Sequence, residues 1–258
     1  MTIIIKSDDE VKIMREAGQI VGQTLQQIRE MVQPGINLLE IESFVEEEFK
    51  RRGAVETFRN YKPGPQFPPY PSNVCASVND ELVHGIPTDR VLNEGDIVTF
   101  DLGATYKGFV GDSAITVPVG EISDEAKNLL KVTEESLFAG IKAAQAGDHL
   151  NDICTAIEES ILASASNYSI VTNYVGHGVG REMHEEPQVP NYRLAFKGPR
   201  LRHGLVLALE PMVNVGTPET YECEDGWTVR TADGTLSCHF EHTIAIREGR
   251  EAEVLTLP

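Results

Sequence analysis

The chain of 258 residues is short of cysteine, of basic charge and of long apolar runs, and each shortage excludes a class of protein. Its four cysteines, Cys75, Cys154, Cys223 and Cys238, stand far apart and form no C-x-x-C pair. That is too sparse for a disulfide scaffold, and it reads as reduced thiols in a cytoplasmic protein. Only 22 lysines and arginines stand against 40 acidic residues, a formal charge of −18. A broad basic face for phosphate backbones is excluded, so no direct nucleic-acid site is expected. No apolar run approaches the roughly 20 residues of a membrane helix. The segment Met1 to Glu10 lacks the basic and then long apolar pattern of a signal peptide. The sequon Asn167-Tyr168-Ser169 would be idle without secretion. What is present, 41% hydrophobic and 24% charged residues, suits a soluble globular protein with a substantial core.

In chain order, Ser7 with Glu10 three residues on forms a capping box that opens a helix. The helix buries Val11, Met14, Ile20, Val21, Leu25 and Ile28 and stops at Pro34-Gly35. A second helix runs from Leu38 to Arg52, ended by Gly53. Tyr61 to Ser72 carries five prolines and is an extended loop, because proline lacks a ladder donor. Its aromatics, with Phe58 just upstream, either plug the loop onto the core or line a pocket. Strands are expected at Val74–Val78, Leu82–His84, Asp96–Leu102 and Phe109–Val119. Ser123 caps a helix to about Ala146, and a fourth helix spans His149–Ala165. A strand at Leu205–Glu210, a loop with the single Trp227 and a last strand at Ser237–Arg247 complete the order.

The two halves echo each other. Gly35, Leu38 and Ile41 have the spacing of Gly147, Leu150 and Ile153, and Leu92, Gly95 and Asp101 that of Leu201, Gly204 and Glu210. His84-Gly85-Ile86 matches His177-Gly178-Val179. The reading is a single domain, 1–258, of two pseudo-symmetric halves, about 7–120 and 121–250, with a site between them.

The stretch Gly176-His177-Gly178-Val179-Gly180-Arg181-Glu182-Met183-His184-Glu185-Glu186-Pro187 concentrates glycine and histidine. Glycine lets a backbone approach closely, and histidine is a common metal ligand. Alone it would read as a polar loop, but acids elsewhere sit in matching strands. In Asp96–Asp101 the alternation sets Asp101 on the face of Ile97 and Thr99. If Tyr106-Lys107 is a two-residue turn, Asp112 lies directly across from Asp101. Like charges so placed destabilise unless a cation lies between them. Asp112 read alone could equally point to solvent. Glu210 ends the apolar run Leu205–Leu209, and Glu241 sits within Cys238–Ile246. With His177, that is four carboxylates and one imidazole, a donor set for hydrolytic divalent ions bridged in a pair rather than for a structural zinc. A HExxH zinc helix is excluded, since His184-Glu185-Glu186 runs into Pro187.

The chain resembles type I methionine aminopeptidases, of the pita-bread fold, over nearly its whole length. The motifs that carry the likeness are Val83-His84-Gly85-Ile86-Pro87, Asp101-Leu102-Gly103, Gly111-Asp112, Gly176–Gly180, His184–Pro187, Leu209-Glu210-Pro211-Met212 and Glu241-His242-Thr243. The resemblance implies an α+β fold, a pseudo-twofold antiparallel sheet with helices on its outer face. It implies Asp101, Asp112, His177, Glu210 and Glu241 as ligands of two divalent ions (cobalt, manganese, iron or zinc). Glu210 would also be the base, His184 would donate to the developing oxyanion, and His84 would contact the scissile peptide. Tyr70, Cys75, Met183 and Trp227 would bound the methionine pocket. The implied substrates are nascent polypeptide N-termini with a small second residue, met by a monomer in transient contact with the ribosome. The chain looks like the short bacterial form. Met183 departs from the family's usual phenylalanine, His239 from a common glutamine, and Lys62–Pro69 is longer than usual. Two rivals stay open: an Xaa-Pro aminopeptidase of the same fold, and an inactive binding protein that keeps it. His149, His203 and His242 are read as structural.

Overall fold

The computed structural model describes residues 2–164 and 168–258. The sequon Asn167 and Ala165, the expected end of the fourth helix, lie outside them. Helix α1 spans Asp8–Met31 and begins with the reciprocal Ser7–Glu10 capping box; all six expected positions on its inner face are buried. Helix α2 spans Leu38–Arg52, capped by Asn37 and ended by the left-handed Gly53. The short β1 (Val55–Glu56) leads into the proline-rich loop, which carries neither helix nor strand. Next come β2 (Cys75–Val78), β3 (Glu81–Val83), β4 (Ile97–Tyr106) and β5 (Phe109–Pro118). Helix α3 (Asp124–Ala143) starts at Ser123, and α4 (Leu150–Leu162) at His149, whose N–H donates to Asp152. The rest is strand and loop: β6 (Ser169–Ile170), β7 (Gly176–Gly178), β8 (Glu185–Val189), β9 (Val206–Leu209), β10 (Met212–Asn214), β11 (Thr220–Glu222), β12 (Val229–Thr231), β13 (Ser237–His239), β14 (Glu241–Ala245) and β15 (Glu253–Val254).

One antiparallel sheet dominates, in the order β1-β4-β5-β14-β9-β7-β8, with β2 on β4 and β15 on β14. Two smaller sheets, β13-β10-β6 and β11-β12-β3, flank it. The strands' period of two sorts the side chains. Val98, Phe100 and Leu102 of β4 join α1 and α2 in one core, and Leu207 and Leu209 of β9 join α3 and α4 in another. The opposite face of β4 carries Thr99 and Asp101, and that of β9 leads from Val206 and Ala208 to Glu210. The acids therefore face away from the helices. This is the expected α+β architecture.

Two expectations are corrected. The β4–β5 turn is Lys107-Gly108, with Tyr106 paired to Phe109. Both turn residues have positive φ, 49° and 78°, the backbone that matches the twist of a tight hairpin and that glycine accepts freely. Asp112 thus lies opposite Gly103, and Asp101 opposite Ala114. The two aspartates are diagonal neighbours on one face. The last strand is also not continuous. It breaks at Phe240, so that β13 pairs with β10 while β14 inserts between β5 and β9. At the break the Thr116 hydroxyl replaces the ladder, accepting from His239 N (3.2 Å) and donating to His239 O (2.6 Å).

A backbone hydrogen-bond pattern occurs twice along the chain. Gly35 N donates to Leu92 O (2.8 Å) and Leu92 N to Ile36 O (2.9 Å), as Gly147 N does to Leu201 O (2.9 Å) and Leu201 N to Asp148 O (2.8 Å). Gly95 N donates to Val119 O (2.9 Å), and Gly204 N to Ile246 O (3.0 Å).

Candidate metal centre

A cavity of about 330 Å³ opens between the large sheet, the proline-rich loop and the β11–β12 hairpin. All eleven expected site residues line it: His84, His184, Glu210, Tyr70, Cys75, Met183, Trp227, Asp101, Asp112, His177 and Glu241. The strands deliver the polar ones. Asp101 and Asp112 come from β4 and β5, His177 from β7, Glu210 from the end of β9 and Glu241 from the start of β14. Side chains lock the last of these against β5. Ser113 Oγ donates to Glu241 O (2.5 Å) and Thr243 Oγ1 to Asp112 O (2.7 Å). β7 is squeezed between β8 and β9, and a Cβ on Gly176 would stand 2.4 Å from Ala208 O. A Cβ on Gly178 would stand 2.3 Å from Glu186 O, so a larger residue at either position would push His177 away from the acids.

One oxygen or nitrogen each from Asp112, His177 and Glu241 lie within 4.8 Å of one another. His177 Nε2 is 3.6 Å from Asp112 Oδ2 and 3.5 Å from Glu210 Oε1. His177 Nδ1 is 2.8 Å from the Gly178 carbonyl, which accepts a hydrogen bond from Nδ1–H and so leaves the Nε2 lone pair turned to the acids. Asp101 stands outside the tight trio, diagonally across the hairpin.

The electrostatics are severe. Burial, with the charge of Asp112 beside it, holds the Asp101 carboxyl well above the usual carboxylate range. Burial lifts Asp112 to about 7 against a hydrogen bond from Glu241. Glu210 and Glu241 are raised by burial and then by the neighbouring aspartates, while burial pushes His177 down to about 3. Asp101 Oδ1, Asp112 Oδ1 and Glu241 Oε1 are buried without any hydrogen-bond donor. Buried acceptors without donors, on acids that repel one another, call for a cation. The donor set fits hard to borderline divalent ions.

Around this cluster Phe58, Tyr70, Cys75, Met183 and Trp227 pack together as an apolar wall. The Tyr70 hydroxyl is consumed by Val74 O (3.1 Å) and Gly85 O (2.9 Å), so the ring offers the cavity an apolar surface. Trp227 stands edge-on to it at 5.1 Å. The Cys75 thiol is raised well above its ordinary value by burial, a packing group rather than a nucleophile. His84 has φ 60°, a rare conformation that turns its ring in against Tyr174 and Trp227. His184 lies 4.4 Å from the His177 ring, with its Nδ1 2.6 Å from the Tyr61 hydroxyl. Tyr61, Pro63, Phe67, Tyr174 and Glu222 also line the cavity. The loop aromatics thus line a pocket, and Tyr61's bond to His184 has no signal in the sequence beyond that loop's composition.

A model of metallopeptidase family M24 matches residues 12–248. The chain belongs to metallopeptidase family M24. It is therefore a metal-dependent peptide hydrolase. It is 48% identical to methionine aminopeptidase 1 of Bacillus subtilis over 246 residues, 95% of this chain and 96% of that one. A crystal structure of methionine aminopeptidase from Thermotoga maritima superposes with a TM-score of 0.93 at 42% identity, covering 100% of both chains. The prolidase of Pyrococcus furiosus shares the pita-bread fold at a TM-score of 0.75 and 24% identity, covering 98% of this chain and 65% of that one. Among the described residues no helix is long and apolar enough to cross a membrane.

Proposed function

We propose that the chain removes the N-terminal methionine from newly made polypeptides with a small second residue. The observation that carries this is the meeting of three donorless carboxylate oxygens with an apolar, aromatic-walled slot in one cavity. Asp101, Asp112, His177, Glu210 and Glu241 would hold a pair of divalent ions. Bound there, they supply Lewis acidity, polarising a carbonyl and making water nucleophilic at neutral pH.

The remaining work belongs to the side chains. Glu210 takes the proton of the attacking water and delivers it to the departing peptide nitrogen, general base and then acid. Burial and the negative charges of Asp112 and Glu182 keep the Tyr61 phenol protonated. It donates to His184 Nδ1, which leaves the His184 proton on Nε2, available to the carbonyl oxygen as negative charge develops. His84 contacts the scissile peptide or its nitrogen. Tyr70, Cys75, Met183, Trp227 and Phe58 enclose the methionine side chain, where thioether contacts with sulfur and rings are favourable. The chain acts as one domain of two halves, about 7–120 and 121–250, and the repeated hydrogen-bond patterns support that division. A cytoplasmic monomer in transient contact with ribosomes fits the substrate.

The test is release of free methionine from a Met-Ala-Ser peptide by metal-stripped protein, before and after adding cobalt or manganese. Metal-dependent release is expected, and Glu210→Ala should lower it at least about a hundredfold. Cleavage of an Xaa-Pro peptide instead would replace this reading by a prolidase-like one. Metal binding with no cleavage of either would overturn this choice of substrate.

A further inference from the structure

His239 sits on β13, two residues before Glu241, and is 1% exposed. Its main chain is clamped by the Thr116 hydroxyl on one side and by pairing with Met212 on the other. The ring's place is thus fixed from the backbone out. Neither ring nitrogen has a hydrogen-bond partner. An imidazole buried with both nitrogens unpartnered is costly unless something nearby completes it. Nε2 stands 3.6 Å from Glu210 Oε2, about 0.7 Å beyond a charge-assisted hydrogen bond. The other oxygen of that carboxylate, Oε1, is 3.5 Å from His177 Nε2. Asn191 Nδ2 holds the Glu210 main chain by its carbonyl at 3.0 Å. One carboxylate, anchored at its backbone, therefore faces two imidazoles with its two oxygens.

We propose that His239 is a positioning residue whose Nε2–H donates to Glu210 Oε2 and so turns Oε1 toward the ions and the scissile peptide. A neutral imidazole carries one N–H and one lone pair. A proton on Nδ1 would set the Nε2 lone pair against a carboxylate, which is repulsive. A proton on Nε2 makes the contact attractive. Rotation about the terminal torsion of Glu210, a broad and soft one, closes the gap. The inference rests on Glu210 being ligand and proton carrier.

The test compares His239→Gln, which keeps an amide N–H, with His239→Leu, which has none. In cobalt-loaded protein we would measure kcat and KM for Met-Ala-Ser, ion stoichiometry by calorimetry, and the Co²⁺ absorption spectrum. His239→Leu should lower kcat about ten- to a hundredfold, with KM within about threefold, from the loss of a hydrogen bond to a charged group. The stoichiometry and spectrum should hold, and His239→Gln should recover most of the loss. An active Leu variant overturns the proposal, as does a Gln variant whose spectrum loses a nitrogen ligand, which would make His239 a ligand. Should the Leu variant fail to fold, ¹⁵N NMR of histidine-labelled, Zn²⁺-loaded parent decides, with protonated Nε2 and bare Nδ1 expected. The opposite tautomer overturns the proposal. A parent that cleaves nothing would sink the functional reading and leave the tautomer result standing, so the two failures are distinguishable.

Discussion

Replacing Lys6 with methionine should destabilise the protein by several kcal/mol, although Lys6 is far from the ion site in sequence and touches no proposed ligand. Its ammonium lies 2.6 Å from Glu185 Oε2, with side chains only 2% and 6% exposed. The N-terminal segment cannot lift it into water without losing the bond from Lys6 N to Gly204 O at 2.8 Å. Methionine preserves most of the apolar stem, so the change isolates the charge. It leaves Glu185 buried and uncompensated, which costs about 3–5 kcal/mol. For a chain of this size that lowers Tm by about 6 to 20 °C.

The same carboxylate shapes the site, because Glu185 Oε1 accepts from Arg181 N at 2.9 Å and so ties the turn that carries Met183 and His184. A loosened turn should lower kcat while the ions stay bound. The assay is thermal unfolding at one fixed free-ion concentration, since bound ions stabilise by mass action. The double variant Lys6→Met/Glu185→Gln keeps an acceptor for Arg181 but removes the stranded charge. It should be more stable than Lys6→Met alone, a non-additivity expected of groups in contact. A Lys6→Met protein melting within about 2 °C of the parent, or a double variant that simply adds the two single losses, would refute the reasoning.

Tyr61→Phe keeps the ring and removes the hydroxyl from His184 Nδ1, and kcat should fall about three- to tenfold with KM little changed; unchanged kcat would remove Tyr61 from the mechanism. Metal-free protein should lose stability as pH rises from about 6.5 to 8, because the folded state keeps protons on Asp101, Asp112, Glu210 and Glu241 that the unfolded chain has released. The buried histidines, whose values are lowered, act with the opposite sign and only below about pH 6.5, so this window isolates the acids. Chelated protein whose Tm is flat or rising across it, or divalent ions that fail to reverse the loss at pH 8, would contradict the burial argument.

Much of this was legible because local chemistry announces itself. Ser7 with Glu10, Gly53 and Ser123 carry the helix ends in residues that satisfy or release backbone groups within a few positions. The short strands were not legible. β1, β6 and β15 have two residues each, too few for any alternation, and exist only because a neighbour offers its edge. The break at Phe240 was also hidden. Ser237 to Arg247 reads as one strand, and what divides it is Thr116, a side chain more than a hundred positions away. Tyr61's bond to His184 is of the same kind, a contact made by the fold alone.

The β4–β5 hairpin keeps both aspartates on one face whichever of the two turns closes it. Moving the turn from Tyr106-Lys107 to Lys107-Gly108 shifts the pairing of β4 on β5 by two residues. A shift of one would have sent Asp112 to the face of Phe100 and Leu102, among the helices. A shift of two keeps it with Asp101, because the period of a strand is two. Gly103 then stands opposite Asp112, and its missing Cβ makes room for the Phe58 ring, which would lie 2.5 Å from it. The same register that separates the two aspartates therefore admits the aromatic wall beside them. Which face a ligand occupies follows from the alternation; how far it stands from its partner follows from a turn, and that distance needed the structure.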